Sequence, residues 1–215
     1  MLRDLDGAPG PEAYRLLTQV VVPRPIAWVL TDTGAVTTTG PERWNLAPFS
    51  YFTALASDPP LVGFAVGAGR GGRAKDTLRN LRARPVCTVL VPHRGQLEAV
   101  QRTSSELPPD ASEVVDAGLD TVAWEWGTPR LEGARVALGC RLERTVDLAP
   151  DERHVLVVLR VHRAWLDDAV AVEDRPGSQL VDPVGLDPLA RLGTGWYAGI
   201  GAPVRPVGEA GSRPR

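Results

Sequence analysis

The stretch VGAGRGGRAKDTLRN, residues 66–80, decides between two kinds of fold for this chain. It contains Gly67-x-Gly69-x-x-Gly72 after an apolar run and before a predicted helix, which is the spacing of a dinucleotide-binding turn. A Rossmann fingerprint, however, opens the first strand–helix–strand unit and has an acid about 20 residues further on. Here the spacing occurs a third of the way along the chain, and the first acid beyond the following strand is Glu98. A Rossmann-type NAD dehydrogenase is therefore the weakest interpretation, behind a flexible glycine turn and a phosphate site on another fold.

The phosphate interpretation depends on a predicted helix over residues 75–84, which Pro85 ends. Unpaired N–H groups at a helix N-terminus favour a bound anion. In the first turn, the Lys75 ammonium and the Thr77 hydroxyl can both bond to a phosphate monoester, and Asp76 is a candidate cap. Lys75 is also the single lysine among 24 basic residues. We therefore expect a phosphate-binding corner at the start of this helix.

The overall composition is that of a globular protein without a nucleic-acid partner. The chain has 215 residues, 43% of them hydrophobic, and a net charge of −2, which provides no basic field for DNA or RNA. The N-terminus shows no apolar signal segment, and no apolar run approaches the roughly 20 residues of a membrane span. Cys87 and Cys140 form no CxxC pair and predict buried free thiols in a reducing compartment. We expect a cytoplasmic protein with no membrane partner and, because its histidines are scattered, no metal site.

Alternating apolar residues predict a mainly β fold. The clearest segments are residues 135–146 and 154–166, and in the first of them Val146 is expected on the buried face. The 22 glycines and 20 prolines predict frequent turns. Besides the helix above, only short helices over residues 11–19 and 112–117 are predicted. The pattern favours a β-barrel with a few covering helices over a doubly wound sheet.

Three motifs, taken in order, resemble the flavin reductase-like family: PRPIAWV at residues 23–29, NLAPFS at 45–50 and KDT at 75–77. The segments LGCRLERTV and PLARLGTGWY continue the resemblance more weakly, so that it covers residues 14–197. Proteins of this family have an FMN-binding split β-barrel. The resemblance therefore implies a mainly β fold, namely a split β-barrel with a few short covering helices, and a homodimer.

The same resemblance implies a domain organisation and a set of site residues. The FMN-binding domain would span residues 14–200, between a flexible N-terminus at 1–13 and a disordered tail at 201–215. The NLAPFS stretch would line the flavin ring and ribityl chain, KDT would bind the phosphate, and the C-terminal motif would close over the site. The cofactor-binding residues implied in this way are Thr31, Asn45, Leu46, Ala47, Pro48, Ser50, Phe52, Lys75, Asp76, Thr77, Arg191 and Tyr197. No catalytic residue is identified.

The activity implied by the resemblance is that of an NAD(P)H-dependent flavin reductase. The nicotinamide would pass a hydride to N5 of FMN, with FAD left open as an alternative flavin. The reduced flavin would then leave for a partner monooxygenase, or the electrons would pass to another acceptor. A flavin-binding carrier or sensor without turnover of its own remains the alternative. The pattern does not distinguish NADH from NADPH.

Overall fold

The computed structural model describes residues 2–34, 40–108, 111–150, 153–175 and 178–204. The helices are α1 (Gly10–Val20), α2 (Asp76–Ala83), α3 (Leu97–Arg102), α4 (Glu113–Asp116) and α5 (Pro183–Leu186). The strands are β1 (Arg24–Pro25), β2 (Ala27–Asp32), β3 (Trp44–Phe49), β4 (Phe52–Ser57), β5 (Pro60–Gly67), β6 (Val86–Leu90), β7 (Thr121–Val122), β8 (Arg130–Leu131), β9 (Val136–Asp147), β10 (His154–Leu166), β11 (Ala171–Arg175), β12 (Ser178–Val181), β13 (Ala190–Arg191) and β14 (Tyr197–Ala198). The predicted tail at 201–215 lies outside the described residues from position 205 onward.

Seven strands form one large sheet in the order β3-β2-β6-β9-β10-β5-β4. Strands β1, β13 and β14 form a second, small sheet, and β11–β12 and β7–β8 form hairpins. Every ladder between described strands is antiparallel. The prediction of a mainly β fold with a few short helices is confirmed. The Rossmann interpretation is wrong, because that fold requires a mostly parallel sheet.

The large sheet curls around an inner core. The rings of Phe49 on β3 and Phe64 on β5 have centroids 4.7 Å apart, although these strands lie near opposite ends of the sheet order. Helix α2 adds Leu78 and Leu81 to the same core. Side chains of β2 alternate between two buried faces, with Val29 in this inner core. Successive side chains of a strand point to opposite faces of the sheet, so a strand that is covered on both sides buries its residues alternately in two cores.

A second core covers the outer face of β2. It contains Trp28 and Leu30 together with Val100 of α3 and Val114 of α4. The Trp28 indole Nε1 donates to the hydroxyl of Thr103, 2.9 Å away, where α3 ends. The segment after α3 is thereby held against the sheet.

The prediction for the end of β9 is wrong. Val146 is 41% exposed, although the period of two places it on the buried face. Val158 of β10 pairs with Arg144 while Leu159 pairs with Leu142, so one extra residue of β9 lies between the two pairs. Such a bulge moves every later side chain to the opposite face of the sheet.

Other local elements differ from the sequence prediction in extent. Helix α1 begins at Gly10 and runs for 11 residues, longer than the one or two turns expected. A helix over residues 112–117 is confirmed as α4, but α3 lies in a stretch that was expected to be irregular. The hairpin β11–β12 was also not predicted. Helix α3 has only six residues, so its periodicity is weak, and Val100 packs it on the outer core.

The two cysteines are neighbours across the sheet. Cys87 of β6 pairs directly with Cys140 of β9, and both are buried free thiols. A hydrogen bond with Cys140, together with burial, holds the pKa of the Cys87 thiol well above its ordinary value. The prediction of buried free thiols is confirmed, whereas their contact could not be read from residues 53 positions apart.

Helix α1 is attached to the body of the molecule through one arginine. The buried Arg24 guanidinium donates from Nη1 to the carbonyls of Thr18 (2.5 Å) and Val21 (2.8 Å), and from Nη2 to that of Leu192 (2.9 Å). These bonds satisfy carbonyls at the helix end and connect α1 to the small sheet. Across the described residues, the model contains no helix with both the length and the apolar character that a bilayer span requires.

Candidate functional site

A pocket lies between the free edge of β3, the start of α2 and the segment that follows α3. Six of the predicted site residues line it, namely Asn45, Ala47, Pro48, Lys75, Asp76 and Thr77. Residues that the sequence analysis did not include complete the lining: Phe49, Gly69, Arg73, Ala74, Arg79, Thr103, Ser104, Ser105, Glu106, Leu107 and Glu113. The fold therefore unites the NLAPFS and KDT motifs, which are about 30 positions apart in the sequence.

The buried amide of Asn45 connects the elements around the pocket. Its Oδ1 accepts hydrogen bonds from the hydroxyls of Thr31 on β2 and Thr77 on α2, each at 3.1 Å. Its Nδ2 donates to Glu113 Oε2 on α4 at 2.9 Å. Asn80 extends the network by donating from Nδ2 to Thr31 Oγ1 at 3.1 Å. Because all five side chains are buried, the loss of any one leaves a partner without its hydrogen bond.

The outward edge of β3 is largely closed to a ligand. In an antiparallel ladder, alternate residues direct both N–H and C=O away from the partner strand. The Trp44 carbonyl accepts from Ser112 Oγ (2.6 Å), and the Leu46 N–H donates to Glu113 Oε2 (3.0 Å), so both residues lie on the outward side. The same alternation places Pro48 there, and proline has no N–H. Leu46 and Pro48 therefore offer no backbone N–H to a ligand.

The remaining six predicted site residues do not line the pocket. Thr31 and Leu46 are fully buried behind its wall, the first in the Asn45 network and the second in the outer core. Phe52 packs against the inner core, and Ser50 lies at the turn between β3 and β4. Thr31 lies near the end of β2, and the other three lie in or just after the NLAPFS motif. The resemblance to the family selects them because these segments adjoin the pocket wall.

Arg191 and Tyr197 lie on a different sheet from the pocket. They face each other across β13 and β14, with the Arg191 guanidinium carbon 4.4 Å from the centre of the Tyr197 ring. The small sheet they belong to also contains β1. Within one chain, the structure therefore brings the C-terminal motif to β1 rather than to the residues that line the pocket.

The start of α2 forms the cationic corner of the pocket. Lys75 is the N-cap residue and is exposed, and no side-chain bond caps the helix. Asp76 pairs with Arg79 at 2.6 Å, so it does not act as the predicted cap. The hydroxyl proton of Thr77 is donated to Asn45, which leaves only its oxygen lone pairs for other partners.

The glycines before Lys75 have a conformational role. Gly71 and Gly72 have φ values of 69° and 77°, which only glycine adopts without strain. The turn is closed by bonds from Gly72 N to Gly69 O (3.1 Å) and from Gly69 N to Arg73 O (2.9 Å). The Gly-x-Gly-x-x-Gly spacing therefore reflects a tight turn that positions Arg73 and Lys75.

The formal charges of the side chains that line the pocket sum to zero. Three cationic side chains, Arg73, Lys75 and Arg79, lie with three carboxyl groups, Asp76, Glu106 and Glu113. Glu113 differs from the other two acids because it is only 7% exposed. Burial raises the pKa of its carboxyl above the ordinary value, and the nearby charge of Asp76 adds to this effect.

Sequence reasoning missed the segment 103–107 and Glu113. The segment follows α3 and Glu113 begins α4, two short helices without a strong apolar period, and neither belongs to a motif. Ser112 precedes Glu113 and is an N-cap residue by type and position, which is the one local signal that a helix begins there. Glu113 lies more than 65 positions further along the sequence than the β3 residues that it contacts, so only the folded chain shows this contact.

Comparison with known proteins gives matches that cover most of the chain. Residues 21–182 match the sequence profile of the family described as "Flavin reductase like domain". An uncharacterized protein of Halalkalibacterium halodurans is 35% identical over 195 residues, which is 88% of each chain.

Two solved structures share the whole fold. Nitrilotriacetate monooxygenase component B from Bacillus cereus is 28% identical, with a TM-score of 0.84 over 95% of this chain and 98% of that one. The 2-nitrobenzoate 2-nitroreductase of Pseudomonas fluorescens is 25% identical, with a TM-score of 0.80 over 100% and 99% of the two chains.

The buried network predicts a specific cost for removing the Thr31 hydroxyl. Substitution of Thr31 by Val keeps the shape but leaves Asn80 Nδ2 without its acceptor, so we expect the free energy of unfolding to fall by about 1–3 kcal/mol. Urea denaturation measures this change. The matched Thr53→Val, on the exposed strand β4, is expected to stay within about 0.5 kcal/mol of the parent protein. Equal unfolding free energies for Thr31→Val and the parent would contradict the network.

Proposed function

The chain belongs to the flavin reductase-like domain family, and we propose that it is an FMN-binding oxidoreductase that acts as an NAD(P)H-dependent flavin reductase. The observation that carries the proposal is the pocket itself. It is formed by the NLAPFS strand on one side and the KDT helix start on the other. Those two motifs are the ones through which the sequence resembles flavin-binding proteins.

The phosphate of FMN would lie at the start of α2. Lys75 and Arg73 are exposed there, and the first amides of the helix point out of its N-terminus. Because Asp76 is paired with Arg79, its carboxylate opposes an incoming anion less than an unpaired one would. The donor set of this corner fits a phosphate monoester.

The flavin ring would extend from this corner along β3. Ala47 and Pro48 give that wall little side-chain bulk, while the side chain of Phe49 is buried in the inner core behind it. A flat ring is held by such an apolar wall together with a few polar groups. Ser105 also lines the pocket and offers a hydroxyl group, whereas the hydroxyl of Ser104 donates to the carbonyl of Gln101 at 2.6 Å.

The protein's own contribution would be binding and orientation. When bound, FMN supplies the two-electron chemistry by accepting a hydride from a nicotinamide at N5. The residues of β3 and α2 would hold the ring with one face open to the nicotinamide, and this positioning would contribute to the rate of the transfer. A general acid–base pair is not required for that role.

A monooxygenase is the partner that the comparisons suggest. The 28% identical protein from Bacillus cereus is named as one component of a nitrilotriacetate monooxygenase. We infer that the reduced flavin of the present protein serves a second enzyme, a monooxygenase. The 2-nitroreductase of Pseudomonas fluorescens instead suggests that an organic acceptor is reduced directly.

Anaerobic mixing with nicotinamides tests the proposed activity. Protein loaded with FMN is mixed with NADH or NADPH, and the visible absorption of the oxidised flavin is followed. We expect it to bleach with at least one of the two donors. If the bound flavin remains oxidised with both, the reductase proposal fails and a carrier or sensor is supported.

Removal of the Lys75 charge is expected to weaken FMN binding. Lys75→Ala deletes a charge-assisted hydrogen bond to phosphate, so the Kd should rise about tenfold to a hundredfold, as measured by quenching of flavin fluorescence. Riboflavin lacks the phosphate, and its Kd should not change. Arg82→Ala, at the other end of α2, is the control and should bind FMN like the parent. An equal loss for FMN and riboflavin would argue against a phosphate at this corner.

The exposed face of α1 supports the proposed homodimer. Tyr14, Leu17 and Val20 lie on that face and are 57%, 46% and 62% exposed, which is unusual for three apolar residues at helical spacing. A second copy of the chain is the expected cover. Light scattering should give twice the chain mass, and Leu17→Glu should give a monomer, while Leu2→Glu should remain dimeric. A monomeric parent protein would contradict the proposal.

A further inference from the structure

Glu113 is a buried acid that the proposed hydride transfer does not use. It lines the pocket, and its Oε2 already accepts two hydrogen bonds, from Asn45 Nδ2 at 2.9 Å and from the Leu46 N–H at 3.0 Å. These partners are neutral, so they orient the carboxylate without cancelling its charge. A carboxylate that is buried in this way carries an unpaired negative charge beside the ligand space.

The charge balance of the pocket gives this acid a role. Three cations and three carboxylates line the wall, so the pocket is neutral when all of them are ionised. FMN would bring a phosphate of charge about −1.5 to −2 and would displace water from the same space. Both changes disfavour a buried carboxylate, one by repulsion and the other by desolvation.

We propose that Glu113 takes up a proton when an anionic flavin binds, which makes flavin binding proton-coupled. This inference rests on the proposed function, since it takes the pocket as the flavin site. Because Oε2 accepts two N–H bonds, the proton is expected on Oε1. A neutral carboxyl still holds Asn45 and Leu46 through Oε2, so the wall of the pocket keeps its shape.

The other acids around Glu113 are more exposed or are paired with an arginine. Asp76 is the charge on α2 that acts on Glu113, but it is half exposed and paired with Arg79 at 2.6 Å. Glu106, across the pocket, is exposed. On α4 itself, Asp116 pairs with Arg102, and that bond lowers the pKa of the Asp116 carboxyl.

The 3-10 turn Pro41–Arg43, which also packs on α4, presents two further charges. Arg43 is bonded to Asp32, and Glu42 is exposed. Among these acids, Glu113 is therefore the one that is buried and whose ionised carboxylate has no cationic partner in the contacts described above. Burial already raises the pKa of its carboxyl, which brings its titration closer to neutrality.

The sign of the pH dependence follows from linkage. If the complex holds more protons than the free protein, the affinity for FMN falls as pH rises through the titration of Glu113. A full proton corresponds to a tenfold change in Kd for each pH unit. This window lies above the ordinary glutamate pKa of about 4.3. The FMN phosphate also titrates, so the parent protein is compared with a Glu113 variant, and the difference between them measures the proton uptake that depends on Glu113.

Calorimetric titration with FMN in buffers of different ionisation enthalpy measures the proton uptake. We expect the parent protein to take up a larger fraction of a proton than Glu113→Gln, whose side chain is neutral but keeps an oxygen acceptor. Glu42→Gln is the matched control and should behave like the parent. With riboflavin, the difference between parent and Glu113→Gln should shrink, because the added charge is missing.

Each outcome bears on a separate claim. Equal proton uptake by the parent and Glu113→Gln would overturn the inference while leaving FMN binding intact. An equal difference with FMN and riboflavin would overturn the role of the phosphate charge. Failure of the parent to bind FMN at any pH would instead overturn the proposed function.

A second measurement does not depend on how Glu113→Gln folds. Infrared difference spectra of parent protein with ¹³C-carboxyl-labelled glutamate should show the C=O stretch of a protonated glutamate appearing when FMN is added. The band should persist in Glu106→Gln, the other glutamate of the pocket wall. Absence of the band, or its loss in Glu106→Gln, would overturn the assignment to Glu113.

Discussion

The buried amide of Asn45 is the contact on which the rest of the pocket depends. One side chain accepts from β2 and α2 and donates to α4, so it connects three elements that are far apart in the sequence. Each of these bonds is shielded from water, where a missing partner costs more than the bond itself contributes. The relative positions of strand β3 and helix α2, and hence the width of the pocket between them, follow from this one residue.

The same network explains how an anion site can coexist with buried acid. Glu113 closes the outward edge of β3, which would otherwise expose an unpaired N–H at Leu46. That structural task requires an acceptor but not a charge. The carboxyl can therefore exchange its proton with little effect on the architecture, and a site of balanced charge can adapt to an incoming phosphate. The acceptor oxygen of Glu113 stabilises the structure, whereas the charge of the same side chain would respond to the ligand.

Much of the fold could be predicted from particular residues. The alternation in β10 and the glycine and proline content indicated a mainly β protein, and Pro85 and the pair Leu78 and Leu81 located α2. The extra residue in β9 could not be predicted, because a bulge leaves composition unchanged and only the partner strand shows it. Helix α3 was missed since it is stabilised by packing on the outer core more than by its own sequence.

For the site, the sequence by itself determined which motifs line the pocket, namely the NLAPFS strand and the start of the KDT helix. Only the tertiary structure decided which of their atoms remain available. Thr31 and Leu46 are turned into the body of the protein, the Thr77 proton is committed to Asn45, and Glu113 enters from a distant helix. The physical reason is that a motif records residue types along one segment, whereas hydrogen bonds between buried groups are satisfied across segments and compete for the same atoms.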